Sequence, residues 1–290
     1  MIHLARWALY LDTGLMFGMP AAAMAVGGCQ VLTRWRGLLI GAGLFCIPLS
    51  IFGFLLNLSV MADLSLGNLD RGLIITLLFG SALGLALTAR CLAAAIYVLL
   101  MARNFTRSSL VLGGVTVITL AWSGHGGASE GALGYVRLIG DILHLLAASA
   151  WIGALALFLL ALLNVDVLDA GVEARVGPLL SAFALPGSVI VGTLLITGFS
   201  NMWFIAQPAD WSTIAQDSYG RAMLAKLALF LTMLGLATVN RFILVPRLLG
   251  QNQERRAVSI AKVTIAVEAA AGIVILALVA WLGTLDPTAT

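Results

Sequence analysis

The sequence predicts an all-α, polytopic membrane protein, a single domain over residues 1–290 with eight transmembrane helices. Composition supports this class, because 61% of the residues are hydrophobic and only 10% are charged, against roughly 25% charged residues in a soluble domain. The apolar residues form continuous runs, whereas a transmembrane β-barrel alternates apolar and polar residues. The 31 glycines are also typical of a helical membrane bundle, in which small residues let helices approach closely.

A spanning helix needs about 20 apolar residues, and this rule places the helices in order along the chain. They cover residues 6–28, 37–59, 73–102, 108–123, 135–163, 178–204, 219–246 and 258–283. The apolar stretch after Arg6 is long enough to span, so we interpret it as the first helix and not as a cleavable signal. The third and seventh exceed the thickness of a bilayer, which favours tilted helices, and the fourth is the shortest.

Basic residues in the short loops predict the orientation. They follow the first and third helices and cluster around the junction of the seventh and eighth: Arg34, Arg36, Arg103, Arg107, Arg241, Arg247, Arg255, Arg256 and Lys262. By the positive-inside rule these loops are cytoplasmic and both termini are periplasmic. The net charge of +3 therefore reflects membrane orientation, and no basic stripe with interleaved aromatic residues indicates nucleic-acid binding.

Two short internal similarities suggest a parallel repeat of four helices, with halves 1–130 and 131–290. Phe79-Gly80-Ser81-Ala82 in the third helix is similar to Tyr219-Gly220-Arg221-Ala222 in the seventh. Trp122-Ser123-Gly124-His125 and Trp281-Leu282-Gly283-Thr284 end the fourth and eighth helices. A parallel repeat relates two halves about an axis along the membrane normal. The spacings differ between the halves, so coincidence is the alternative.

The sequence contains no motif of a familiar catalytic site. There is no GxSxG, no HExxH and no phosphate-binding glycine loop, so we expect no enzymatic activity. The three cysteines, Cys29, Cys46 and Cys91, form no CxxC pair. Because a free cysteine behaves as a small hydrophobic residue, we interpret all three as buried, inert thiols.

All three histidines fall on the predicted periplasmic side. His3 precedes the first helix, His125 ends the fourth in a glycine-rich turn, and His144 lies within the fifth. Neutral imidazole is the commonest metal-ligating side chain, and its burial without a partner is costly. We therefore predict a metal site that contains His3, His125 and His144. The alternative is a structural role for each, which is the more common role of a single histidine in a helix.

One face of the fifth helix carries further polar residues. Asp141, His144 and Trp151 recur at i, i+3 and i+10 and share this face. A carboxylate one turn from a histidine can fix the tautomer that binds the metal. The alternative is that Asp141 marks the membrane interface and that Trp151 only packs.

Methionines near the same side could add soft ligands. Met61, Met202 and Met223 end or begin predicted helices there. Thioether and imidazole ligands together favour Cu(I) over magnesium or calcium, which prefer oxygen. Methionine is also common in apolar packing, so packing is the alternative at each position.

Charged residues within the predicted helices are costly unless paired, and they mark functional sites. They are Asp12, Arg90, Asp141, Lys226 and Glu268. Glu268 lies near the midplane of the eighth helix, and we predict that it acts as a gate or relay in a cation path. The alternative is a structural ion pair with Lys226 or Arg90.

These blocks resemble the copper resistance protein D family (CopD/PcoD). The run from Asp141 to Gly153 resembles the signature of its fifth helix. The blocks Trp122-Ser123-Gly124-His125, Tyr219-Gly220-Arg221 leading to Lys226, and Asn240-Arg241-Phe242 with Pro246-Arg247 are also similar. The resemblance implies His125 and His144 as copper residues, with Trp151 and Lys226 in matching blocks. The assignment of His3 as a metal ligand depends only on its predicted position on the periplasmic side.

The resemblance further implies a protein of copper homeostasis and resistance in the bacterial inner (plasma) membrane. Such a protein would carry copper, as Cu(I) or Cu(II), from the periplasm toward the cytoplasm beside the small periplasmic carrier CopC. One alternative is a haem-binding or redox protein similar to the HemJ family, with His144 as an axial ligand. Another is a copper-docking module that transports nothing. The sequence leaves the oligomeric state open, a homo-oligomer included.

Overall fold

The computed structural model describes residues 1–27, 29–123, 132–164, 172–205, 218–250 and 255–285; most of these residues are helical, and none is in a strand. The all-α class is therefore confirmed. The α-helices are α1 (Ile2–Ala25), α2 (Cys29–Ala62), α3 (Arg71–Gly80), α4 (Ala82–Ala102), α5 (Thr106–Ile118), α6 (Ala132–Leu163), α7 (Val172–Ala182), α8 (Ala184–Ile205), α9 (Ser218–Val239), α10 (Val245–Leu249) and α11 (Arg255–Leu282).

Six described helical segments are long and apolar enough to cross a membrane, as expected of a multi-pass membrane protein. They are Leu32–Ala62, Ala82–Ala102, Leu133–Leu163, Ala184–Trp203, Ser218–Leu249 and Arg256–Leu282. Helix α1 and the shorter apolar segment Thr106–Trp122 lie where the first and fourth spans were expected, but they are not among these six. The count of eight spans and the parallel repeat of four helices therefore stay predictions.

The prediction of a single helix over residues 73–102 is wrong, because the helix is interrupted at Ser81. Ser81 has extended backbone angles (φ −118°, ψ 151°) between α3 and α4. Its hydroxyl oxygen accepts a hydrogen bond from the Gly84 amide at 3.0 Å, which caps the start of α4. A Cβ on Gly84 would lie 2.2 Å from the Leu78 carbonyl oxygen, so glycine is needed for α3 to pack this closely.

The sixth expected helix, 178–204, is also divided, with α7 ending at Ala182 and α8 beginning at Ala184. The seventh, in contrast, is continuous from Ser218 to Leu249. A π-helical turn, Asn240–Leu244, joins α9 to α10 within it. Such turns occur frequently at functional sites, and this one carries Asn240.

Helix α1 lies inside the bundle, in contact with α2, α5, α6 and α11. Its backbone touches that of α6: a Cβ on Gly18 would lie 2.0 Å from the Ser149 carbonyl oxygen, and one on Gly153 would lie 2.1 Å from Gly18. Gly14 likewise packs beside Ser149. The paired numbers rise together, so α1 and α6 run parallel, and only glycines allow this separation.

Candidate functional site

His144 of α6 is held by a hydroxyl of α8. Its Nδ1 lies 2.8 Å from Thr197 Oγ1. The single proton of that hydroxyl is donated to the Thr193 carbonyl oxygen at 2.6 Å, so Thr197 accepts from His144 and the Nδ1 atom carries the proton. Nε2 therefore has its lone pair free for a metal ion, in the tautomer that a fixed partner selects at metal sites.

Two charged residues and an amide accompany this histidine. Asp141 Oδ1 accepts a hydrogen bond from Asn201 Nδ2 at 2.8 Å. Lys226 of α9 interacts electrostatically with both Asp141 and His144. We call the five residues Asp141, His144, Thr197, Asn201 and Lys226 the His144 cluster.

The structure thus assigns to Thr197 the orienting role that the sequence suggested for Asp141. Thr197 and Asn201 are the cluster residues that the sequence reasoning missed. One signal was present: Thr193, Thr197 and Asn201 recur every fourth residue in a mostly apolar helix, so they share one face of α8.

Of the other two histidines, the structure describes only His3, and it lies apart from His144. His125 lies outside the described residues. His3 Nδ1 lies 3.0 Å from Thr284 Oγ1, in the turn that follows α11. From the Gly14–Ser149 contact, His3 is about 16 Å along α1 and His144 about 8 Å along α6, so the two lie at different depths. Within the described ranges, no group of three or more His, Cys, Asp or Glu residues could hold a metal ion.

The three candidate methionines differ in their surroundings. Met61 is 73% exposed at the end of α2, which packs on α1 and α4. Met202 follows Asn201 on α8, and Met223 lies three residues before Lys226 on α9. Met202 and Met223 therefore belong to helices that carry the His144 cluster, whereas Met61 does not.

Glu268 of α11 is buried against an amide. It is 2% exposed, and its Oε1 accepts a hydrogen bond from Asn240 Nδ2 at 2.5 Å. Asn240 Oδ1 in turn accepts from Thr264 Oγ1 at 2.6 Å. The π-helical turn places Asn240 at this position, so it connects α9 to α11.

The ion pair considered for Glu268 is not found. Arg90 donates hydrogen bonds to the hydroxyl and the carbonyl of Thr119, at 2.8 and 3.0 Å. Lys226 has Asp141 as its electrostatic partner. Asn240 therefore takes the place expected for Lys226 or Arg90.

A cavity of about 530 Å³ adjoins Glu268 between α6, α7, α8, α11 and the segment from α9 to α10. Its wall is mostly apolar, and its polar residues include Ser188, Asn240, Arg241 and Glu268. Arg241 donates a hydrogen bond to Ser188. We call this space the Glu268 cavity, which offers a carboxylate in a mostly apolar wall.

An aromatic pair lies between the His144 cluster and the Glu268 cavity. Trp151 and Phe230 meet edge to face, with ring centroids 5.9 Å apart. Trp151 is 7% exposed and lines the cavity. Along α6 the order is His144, Trp151, then cavity-lining Phe158, and along α9 it is Lys226, Phe230, then cavity-lining Leu234. Both helices therefore lead from the cluster past this pair to the cavity.

Most of the chain is similar in sequence to known proteins. Residues 1–135 match the family described as copper resistance protein D-like, N-terminal domain, and residues 177–282 match copper resistance protein D. The chain is 32% identical to copper resistance protein D of Pseudomonas syringae pv. tomato, over 97% of this chain and 95% of that protein. It is 30% identical to inner membrane protein YebZ of Escherichia coli K12, over 66% of this chain and 63% of that protein. No solved structure matches.

Proposed function

Because this chain belongs to the copper resistance protein D family, we propose that it binds copper in the inner membrane and moves it from the periplasm to the cytoplasm. The observation that carries the proposal is the free Nε2 of His144, whose tautomer Thr197 fixes. A neutral imidazole with one oriented nitrogen is a ligand ready for a copper ion.

Copper capture takes place at the His144 cluster. His144 supplies the nitrogen ligand, and His125, Met202 or Met223 completes the site. Soft thioether ligands favour Cu(I), whereas a set of imidazoles suits Cu(II) as well. The Asp141 carboxylate, which interacts with Lys226, offsets part of the positive charge at the site.

Passage inward follows the order of residues along α6 and α9. The ion moves from the His144 cluster past Trp151 and Phe230 into the Glu268 cavity, where the carboxylate of Glu268 is the next charged partner. The membrane potential supplies about 2.3 kcal/mol per charge for each 100 mV. In this scheme the protein is a transporter and not an enzyme.

Copper reaches the periplasmic end from a small carrier of the CopC type. The predicted orientation puts both termini and the turn with His125 on that side. Transfer between carrier and membrane protein would keep copper bound throughout, which limits the free ion in the periplasm.

X-ray absorption of the copper-loaded, purified protein tests this binding site. We expect nitrogen ligands in the wild type, and the loss of one imidazole contribution and of one bound copper ion in His144→Ala. The matched control is His3→Ala, which removes an imidazole held at a different depth. An unchanged copper spectrum in His144→Ala would contradict the site, and a haem absorption band that depends on His144 would support the haem alternative instead.

A further inference from the structure

A second buried polar group lies among α1, α2 and α4, and the proposed copper path does not use it. Asp12, Cys46 and Tyr97 are 8%, 0% and 0% exposed. The Cys46 thiol interacts with the Asp12 carboxyl, and its Sγ lies 3.8 Å from Ser50 Oγ. Asp12 also interacts electrostatically with Tyr97. We call these four residues the Cys46 group.

Two oxygen atoms of this group lack partners. Asp12 Oδ2 and the Tyr97 hydroxyl are buried and accept or donate no hydrogen bond within the described part of the chain. An unsatisfied polar atom in the interior is costly, and more so for a carboxylate in a membrane helix. Arg90 interacts with Cys46, but its hydrogen bonds go to Thr119. The buried Oδ2 of Asp12 is therefore left without a partner, and a positively charged ligand would supply one.

The atoms available select the class of that ligand. A thiolate, helped by thioethers, favours soft monovalent cations over magnesium or calcium. Met16 and Met19 are fully buried and lie four and seven residues after Asp12, on the same face of α1. We propose that Cys46 and Asp12 bind a soft monovalent cation, Cu(I) or Ag(I), at a site separate from His144.

In this site the sulfur of Cys46 coordinates the ion directly. As the metal–sulfur bond forms, the thiol loses its proton, and the free Oδ2 of Asp12 is available to accept it. The occupied group then carries no net charge, which suits a position inside the bundle. The proposed site depends on how α1, α2 and α4 pack together. The proposal therefore does not require that the chain transports copper.

Silver(I) titration of the full-length protein in nanodiscs tests the proposal, with a chelator as competitor. Cys29 and Cys91 are first replaced by serine, so that Cys46 is the one remaining cysteine. In a His144→Ala background, which removes the ligand of the first site, we expect one bound silver ion with a sulfur ligand by X-ray absorption, and its loss in Cys46→Ser and Cys46→Ala. Asp12→Asn should weaken binding by about 10- to 100-fold, whereas the exposed control Asp63→Asn should not.

Two controls separate this site from the first and from misfolding. His144→Ala should keep the silver–sulfur signal, because the His144 cluster is on other helices. Size-exclusion elution and thermal unfolding establish that each variant is folded. Retention of the silver ion in Cys46→Ser would overturn the proposal. Equal affinity in Asp12→Asn and the parent would also overturn it, because any isolated thiol would then explain the binding.

Discussion

Replacing Thr197 with valine removes the one hydroxyl that holds the His144 ring, while keeping the shape of the side chain. The Nδ1–H of His144 loses its acceptor at 2.8 Å, so the imidazole is free to change tautomer or rotate. Loss of such an orienting partner typically weakens metal binding by about 10- to 100-fold, which corresponds to about 1.4 to 2.8 kcal/mol. The buried N–H left without a partner should also lower the free energy of unfolding by about 1 to 3 kcal/mol.

The assay is a competition titration of the purified protein with Cu(I) and a chromophoric chelator. Thr193→Val is the matched control, because Thr193 lies on the same helix and donates to the carbonyl four residues before it, as Thr197 does. Thr197→Ser keeps the hydroxyl and should bind nearly as tightly as the wild type. Equal copper affinity in Thr197→Val and the wild type, or an equal loss in Thr193→Val, would refute the role given to Thr197.

The remaining predictions concern the cavity, the packing of α1 and the haem alternative. Glu268→Gln keeps an acceptor for Asn240 but removes the charge, so copper flux should be lost while copper affinity and the unfolding temperature stay near wild type; unchanged flux would exclude Glu268 from the path. Gly18→Ala should destabilise the protein by about 1 to 3 kcal/mol or more, because its Cβ would lie 2.0 Å from backbone. Thermal unfolding would show this loss, and Gly41→Ala, which meets nothing within 4 Å, should cause none. Protein purified from haem-replete cells should show no Soret band, and a stoichiometric band would argue for the haem alternative.

The all-α fold and most helices could be predicted because long apolar runs dominate the sequence. The breaks at Ser81 and Phe183 could not, since hydrophobic residues continue across both. At Ser81 the side-chain cap on Gly84 decides the local structure, and a serine within an apolar run gives little warning of it. The position of α1 inside the bundle likewise depends on the Gly18–Gly153 contact, which is a tertiary feature.

The candidate site was predicted in part. The i, i+3 spacing correctly placed Asp141 and His144 on one face of one helix. Their partners on α8 were missed, because a threonine and an asparagine become visible as partners only when α6 and α8 are aligned. The partner of Glu268 was missed for a similar reason: the π-helical turn determines where Asn240 lies, and no sequence motif indicates that turn.

Cys46 shows how burial alone can mislead. As a single thiol in an apolar run it is indistinguishable from a packing residue. The structure adds the Asp12 carboxyl, which interacts with the Cys46 thiol and has one oxygen atom without a partner. The polar neighbours of Cys46 are therefore determined by which helices pack together, whereas the sequence indicates only the residue types.

Copper flux into proteoliposomes is the most direct test of whether the protein transports copper by way of His144. Vesicles with an inside-negative potential are loaded with a copper-sensitive dye, and the wild type is compared with His144→Ala and with Thr193→Val. We expect uptake by the wild type and Thr193→Val that increases with the potential, and none by His144→Ala. Equal uptake by His144→Ala, or copper binding without flux in the wild type, would contradict copper transport through the His144 cluster.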